Sequence, residues 1–249
     1  SAEAQKQRSK DELLKEIATL SNSAIPADKE KAYQTSKEFL ARFGTEKAEI
    51  VKKVHTYVES YRAAMFFTAV ETNKAASAFT LGKEILADHP QKVEVLINLT
   101  YAGYNAMAAG DKTYMDDTIA SARKAEELLE AGTLPPVFAP FKDKKDALAW
   151  MYYIDGTMTT QKDKKSGAEL IYKATMQESV IRDSSLPYHL IALSYEDIYD
   201  KAVTELAAKV AAKPMNETET QTLQKRVSAA LELMLDAYAR SSTRADAEN

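Results

Sequence analysis

The stretch that decides the fold is ALAWMYYIDGTMTTQKDKKSGAELIYKAT, residues 147–175. Apolar residues recur in it at steps of three and four on both sides of the polar run at 162–165, which indicates two helices joined by a short turn. Gly156 is followed by Ala168 after twelve residues, by Tyr172 after four more and by Thr175 after another three. Small residues at a helix crossing let two backbones approach, and an aromatic side chain fills the space beside them. The stretch therefore predicts an antiparallel helix pair.

The same spacing occurs earlier in the chain. Ala63, Ala75, Phe79 and Gly82 repeat the steps of twelve, four and three residues. A further helix over 96–109 fits the pattern in part. Two matching patterns in one chain indicate a repeated helix-pair unit.

Breaks in the periodicity divide the chain into about ten helices. Apart from these breaks, steps of three and four run almost throughout, and the alternation typical of strands is nearly absent. The fold class that follows is all-α, with segments predicted near 9–21, 28–43, 46–71, 74–88, 91–109, 113–131, 143–161, 164–182, 187–212 and 217–240.

The helix pairs resemble the tetratricopeptide repeat (TPR) family. Its unit is a pair of antiparallel helices with this small/aromatic/small pattern and a proline at the helix exit, as in Asp88-His89-Pro90. The resemblance implies a TPR-like antiparallel helix-pair solenoid that forms a single domain over 1–249. In this interpretation 9–43 is an N-terminal capping pair, 46–212 holds divergent repeats with an insertion at 131–146, and 217–240 is a C-terminal capping helix.

The resemblance also implies a binding surface. In the family the first helix of each pair lines a concave groove that holds a peptide or a partner helix. Carried over to this sequence, the groove candidates are Thr100, Tyr104, Met107, Trp150, Tyr153, Thr157, Thr160, His189, Glu196 and Tyr199. Tyr and Trp offer rigid surfaces that are apolar along the ring and polar at the tip. For each ring taken singly, packing between helices is the alternative interpretation.

Composition excludes several classes of protein. The 249 residues are 45% hydrophobic and 28% charged with only 7 Gly and 7 Pro, which argues against a disordered or turn-dense chain. The net charge of −4 supplies no basic field for nucleic acid. The absence of cysteine excludes disulfides and thiolate sites, and, together with the small residues at Ser1 and Ala2, favours a periplasmic or otherwise exported protein over a cytoplasmic one. No segment is apolar enough to predict a transmembrane helix.

The sequence carries no recognisable catalytic or metal motif. His55, His89 and His189 stand far apart, and no glycine cluster is present that would hold a phosphate group. We therefore expect no enzyme activity, no metal and no cofactor. An enzyme that uses Glu196, Asp197 or Asp200 near His189 is the remaining catalytic alternative.

The proline-rich loop GTLPPVFAPF, residues 132–141, has two interpretations. Its apolar side chains would be unfavourable in water, so the loop either folds back to seal the preceding helix over 113–131 or serves as a docking element.

The function expected from the sequence is a non-enzymatic interaction or scaffold module that binds another protein or peptide in the concave groove. The alternative is an exported helical-repeat protein that captures a small ligand, such as a sugar or a peptide fragment, on the rings of Trp150, Tyr153 and Tyr104.

Overall fold

The architecture is that of a computed structural model that describes residues 8–212 and 216–248. Those residues form eleven α-helices and no strand, which confirms the all-α prediction. The helices are α1 (Lys10–Ser21), α2 (Pro26–Phe43), α3 (Glu49–Glu71), α4 (Ala75–Asp88), α5 (Val93–Ala108), α6 (Met115–Glu130), α7 (Lys144–Thr159), α8 (Lys164–Thr175), α9 (Val180–Asp183), α10 (Ser185–Ala211) and α11 (Glu217–Glu248).

Most of the helix boundaries lie within a few residues of the predicted ones. The exception is the eighth segment, predicted over 164–182, which ends at Thr175 and is followed by the short α9. Ser179 causes the new start, since its extended backbone and its side chain, which accepts from the Ile181 amide at 3.1 Å, make it an N-cap. The last helix also continues beyond 240, to Glu248.

Each long helix packs against the next, and some helices that are not consecutive are also in contact. α3 also contacts α5, and α5 also contacts α7. The hydrophobic core is therefore distributed along the stack in layers. Phe39 and Val51 belong to the layer of α1 to α3, Phe66 and Leu99 to that of α3 to α5, and Met151 to the largest layer, which extends from α5 to α11.

Glycines allow a close crossing between α7 and α8. A Cβ atom on Gly156 would lie 2.8 Å from the carbonyl oxygen of Gly167, and one on Gly167 would lie 2.5 Å from the amide nitrogen of Thr160. The small residue opposite Gly156 is thus Gly167, one position before the predicted Ala168. Tyr172 does not fill the gap, because 46% of it is exposed, whereas Ile171 beside it is fully buried.

The C-terminal part of the chain is a long helical hairpin. α10 and α11 pack against each other along their lengths, and α10 also contacts α8. The buried positions of α11 are separated by three, seven and seven residues, which is compatible with the seven-residue repeat of a coiled coil. They include Thr220, Leu223, Ala230 and Ala237.

None of the described helices combines the length and the apolarity that crossing a bilayer requires.

Candidate binding groove

One face of α5 is open and lines a pocket of about 620 Å³. This face carries Glu94, Asn98, Tyr101 and Asn105, whose spacing of four, three and four residues places them in one row along the helix. The end of α3 forms the opposite wall. The proline-rich loop closes the pocket from above. The residues that α3 and the loop contribute are Phe67, Val70, Glu71, Pro136, Val137, Ala139 and Pro140.

A shallower recess of about 480 Å³ shares three residues with the pocket, namely Asn73, Tyr101 and Asn105, and extends to Ala109. We call the two together the α5 groove. α5 has 16 residues, and at a rise of about 1.5 Å per residue the groove follows a helix about 24 Å long.

Asn73 reaches the groove because of how α3 ends. It lies just after the helix with φ of 53°, in the left-handed region that asparagine adopts more readily than most residues. The amide of Lys74 donates to the carbonyl oxygen of Ala69 at 2.8 Å, which is the bonding of a Schellman-type helix end. Across the groove, Asn105 Nδ2 donates to Asn73 Oδ1 at 3.0 Å, and this bond links α5 to the turn between α3 and α4.

The proline-rich loop lies mainly on α5, and its two phenylalanines pack inward. Asn98 Nδ2 donates to the carbonyl oxygen of Ala139 at 3.0 Å and to that of Glu94 at 2.8 Å. Phe141 is buried and meets Tyr101 edge-on, with ring centroids 5.9 Å apart. Phe138 and Phe141 join the core layer that also holds Leu128 and Leu129 of α6, whereas Val137 is 64% exposed and lines the pocket. The phenylalanines therefore fit the interpretation of the loop as a seal, whereas docking through the loop stays a prediction.

Charge in the pocket is all of one sign. Glu71 and Glu94 line it, and the described lining residues include no Lys, Arg or His. Glu94 forms a long ion pair with Lys92, in which Oε1 and Nζ are 3.9 Å apart. Glu71 makes no ion pair with any described residue.

The groove candidates on α5 and α7 mostly lie between these helices. The rings of Tyr104, Trp150 and Tyr153 meet in edge-to-face contacts with centroids 5.9 to 6.1 Å apart. Tyr153 is only 4% exposed, and this burial, more than the adjacent Tyr104, raises the pKa of its phenol. Thr100 is fully buried and donates to the carbonyl oxygen of Leu96 at 2.9 Å, so it does not reach an open surface.

The remaining α5 and α7 candidates are also engaged in the stack. Thr157 Oγ1 is sealed from solvent and has no hydrogen-bond partner in the described part of the chain. Thr160 lies against Gly167 at the α7–α8 crossing. Met107 is partly buried against the core, with Gln161 Nε2 3.9 Å from its sulfur atom.

These candidates lie between the helices because the open face of α5 is offset by one residue from the predicted face. Consecutive residues of a helix point about 100° apart, so the predicted row through Thr100, Tyr104 and Met107 faces α7, while the row through Asn98, Tyr101 and Asn105 faces the groove. The sequence signal for the second row was its amide side chains, which an interhelix core would seldom include without partners.

The candidates on α10 belong to the helical hairpin. Tyr238 of α11 donates to Glu196 Oε2 at 2.6 Å and lies edge-on to His189, with ring centroids 6.0 Å apart. Tyr199, also on α10, is partly buried. Asp197, which the catalytic alternative invoked, pairs with Lys201 at 2.9 Å. Over 8–212 and 216–248 no group of His, Asp and Glu side chains has the geometry of a metal site.

A buried polar cluster between α6 and α7 was not predicted. Asp155, with no exposed surface, accepts from Arg123 Nε at 2.8 Å and from Thr159 Oγ1 at 2.7 Å. Glu126 is only 8% exposed beside this pair, and its Oε1 has no hydrogen-bond partner among the residues that the structure describes. Burial, and secondly the charge of Asp155, raises the pKa of Glu126 to about 8. The sequence signal was weak, because acidic residues in a helix usually lie on its solvated face.

No family model matches the chain, and neither the curated proteins nor the solved structures that were compared with it include a match.

Proposed function

We propose that the protein is a non-enzymatic binding module, a divergent TPR-like solenoid that holds an extended segment of a partner protein in the α5 groove. The observation that carries the proposal is the continuous opening along α5, enclosed at one end by the proline-rich loop and shallow at the other. An α-helix with its side chains is about 10 to 12 Å across and needs a wide trough. The loop over the pocket favours a thinner, extended occupant.

The length of the groove sets the size of that segment. An extended chain advances about 3.3 Å per residue, so a groove of about 24 Å corresponds to a segment of about seven residues. The side-chain amides suit such a segment, because a carboxamide both donates and accepts and can therefore pair with a peptide backbone. Asn105 Oδ1 and Asn73 Nδ2 have no hydrogen-bond partner among the described residues, and both groups line the groove.

The pattern of contacts between the helices supports the solenoid part of the proposal. In a stack of helix pairs, first helices of successive pairs touch one another on the concave side. α5 contacts α3 on one side and α7 on the other in this way. The α5 groove lies between the first two of these helices.

A selection from a displayed library of random heptapeptides tests the proposal. We expect enriched peptides to bind the protein with a measurable Kd by fluorescence anisotropy and to lose at least tenfold in affinity when Asn105→Ala and Asn73→Gly are combined. Glycine keeps the positive φ at position 73 while removing the amide.

The control for this selection is Gln224→Ala, which removes an exposed amide from α11 without touching the groove. Its Kd should equal that of the wild type. Peptides whose affinity is insensitive to the groove variants, with the fold intact by circular dichroism, would contradict the proposal.

Capture of a small polar ligand is the second candidate. The pocket volume of about 620 Å³ falls within the range of small-molecule sites, about 300 to 1,000 Å³. Phe67 and Tyr101 provide ring surfaces, and the asparagines provide the polar contacts that a sugar or a peptide fragment would need. Isothermal titration with a panel of oligosaccharides and dipeptides separates the candidates. Under this second function such ligands bind and the selected heptapeptides compete with them.

A further inference from the structure

The free hydrogen-bonding atoms of the pocket are mostly acceptors. Both N–H bonds of the Asn98 amide are used, one by the carbonyl oxygen of Glu94 and one by that of Ala139. Asn98 is only 5% exposed, and no described group donates to its Oδ1. What the Asn98 side chain offers to an occupant is therefore an acceptor.

The carboxylates of Glu71 and Glu94 add two charged acceptors. Glu71 stands at the end of α3 and Glu94 at the start of α5, so they approach the pocket from different elements. Lys92 lies 3.9 Å from Glu94 outside the lining, whereas Glu71 has no ion-pair partner among the described residues, so the pocket keeps an excess of negative charge that attracts a positive group. An anionic or acceptor-rich occupant would be repelled by the same atoms.

The aromatic rings of the pocket favour one kind of cation over another. Phe67 and Tyr101 line the pocket from α3 and α5, and Tyr101 is held in place by its edge-on contact with Phe141. A guanidinium group is planar, stacks on aromatic rings and carries five N–H donors, whereas an ammonium group is a compact point charge with three. Amide and carboxylate acceptors together with two rings match the guanidinium better.

We infer that the segment held in the α5 groove carries an arginine whose guanidinium group occupies the pocket between Glu71 and Glu94. This inference rests on the proposed function and adds the chemistry of the residue that the groove selects. The amides of Asn73 and Asn105 are then left for the backbone of the segment, further along α5.

The test uses four heptapeptide libraries that are identical except for the central residue, which is fixed as arginine, lysine, citrulline or glutamine. Citrulline keeps the shape of arginine and removes its charge. We expect the arginine library to bind at least tenfold more tightly than the citrulline and glutamine libraries and several-fold more tightly than the lysine library. The preference over citrulline should shrink as NaCl rises from 50 to 500 mM.

The double variant Glu71→Gln with Glu94→Gln should abolish the arginine preference. Its matched control is Glu127→Gln with Glu232→Gln, which makes the same change of net charge at exposed positions outside the groove. When the arginine library is added, chemical-shift changes in a ¹H–¹⁵N spectrum of the wild-type protein should concentrate at the C-terminal end of α3 and the N-terminal end of α5.

The two proposals fail differently. Equal binding of all four libraries that still depends on Asn105 and Asn73 would overturn the arginine inference and leave the peptide-binding function standing. Equal binding of arginine and lysine would reduce the requirement to positive charge and would also overturn the inference. Heptapeptides that bind nowhere in the groove would overturn both.

Discussion

At the scale of single residues, the polar cluster of α6 and α7 shows how burial changes the chemistry of a carboxyl group. Asp155 has a cation and a hydroxyl group as partners, whereas none of the described residues donates a hydrogen bond to Oε1 of Glu126 beside it. An unpartnered buried carboxylate is strongly unfavourable, so the folded protein retains the proton on Glu126.

This retained proton makes stability depend on pH. The pKa of Glu126 is about 8 in the folded protein, whereas an unfolded chain releases the proton near the ordinary value for glutamic acid, about 4.3. The stabilisation is thus fully present below about pH 4.3 and is lost as pH rises to about 8. Across that window the free energy of unfolding should fall by up to about 1.4 kcal/mol per pH unit from this group.

Urea unfolding at a series of pH values measures this slope. Glu126→Gln should remove its share of the slope and should be more stable than the wild type above pH 8, since a neutral amide does not titrate. Glu127→Gln, on the exposed side of the same helix, should keep the wild-type slope. Parallel curves for the wild type and Glu126→Gln would disprove the assignment.

At the scale of elements, the proline-rich loop connects the core to the groove. Phe141 belongs to the core layer of α5 to α11, and Val137, four residues earlier, lines the pocket. The same short segment thus contains a side chain that stabilises the fold and one that shapes the binding site.

Of two substitutions in this loop, one should therefore affect mainly stability and the other mainly peptide binding. Phe141→Ala should lower the free energy of unfolding by about 3 to 5 kcal/mol, because it leaves a cavity beside Tyr101 and Trp150. Val137→Ala should change stability by less than about 0.5 kcal/mol, since the side chain is 64% exposed, but should weaken binding of the selected peptides. Chemical denaturation and anisotropy measure the two effects. A large loss of stability in Val137→Ala would mean that the loop acts as a seal along its whole length.

At the scale of the whole molecule, stability should be graded along the stack because the core is divided into layers. Helix α7 is buried almost all round, with residues 151–156 buried without interruption. α10 is largely exposed beyond Ala202. In such a stack each helix depends mainly on its neighbours.

Hydrogen exchange measured by mass spectrometry should follow this gradient. We expect the amides of α7 to exchange most slowly, near the global unfolding limit, and those of α10 beyond Ala202 to exchange through local opening at much lower free energy. Peptides from α1 and α2 should lie between these limits. Uniform protection of every helix would show that the layers unfold as one unit.

The sequence by itself determined the number of long helices, most of their ends and the close crossing at Gly156, because periodicity, capping residues and glycine act over a few neighbouring positions. Only the tertiary structure decided which face of α5 is open. A rotation of one residue moves a side chain by about 100°, and the positions of α3, α7 and the proline-rich loop fix that rotation. The same distant contacts buried Thr100, opened the row through Asn98, Tyr101 and Asn105, and isolated Glu126 from water. The α5 groove exists because elements far apart in the chain meet there, and local spacing does not encode that meeting.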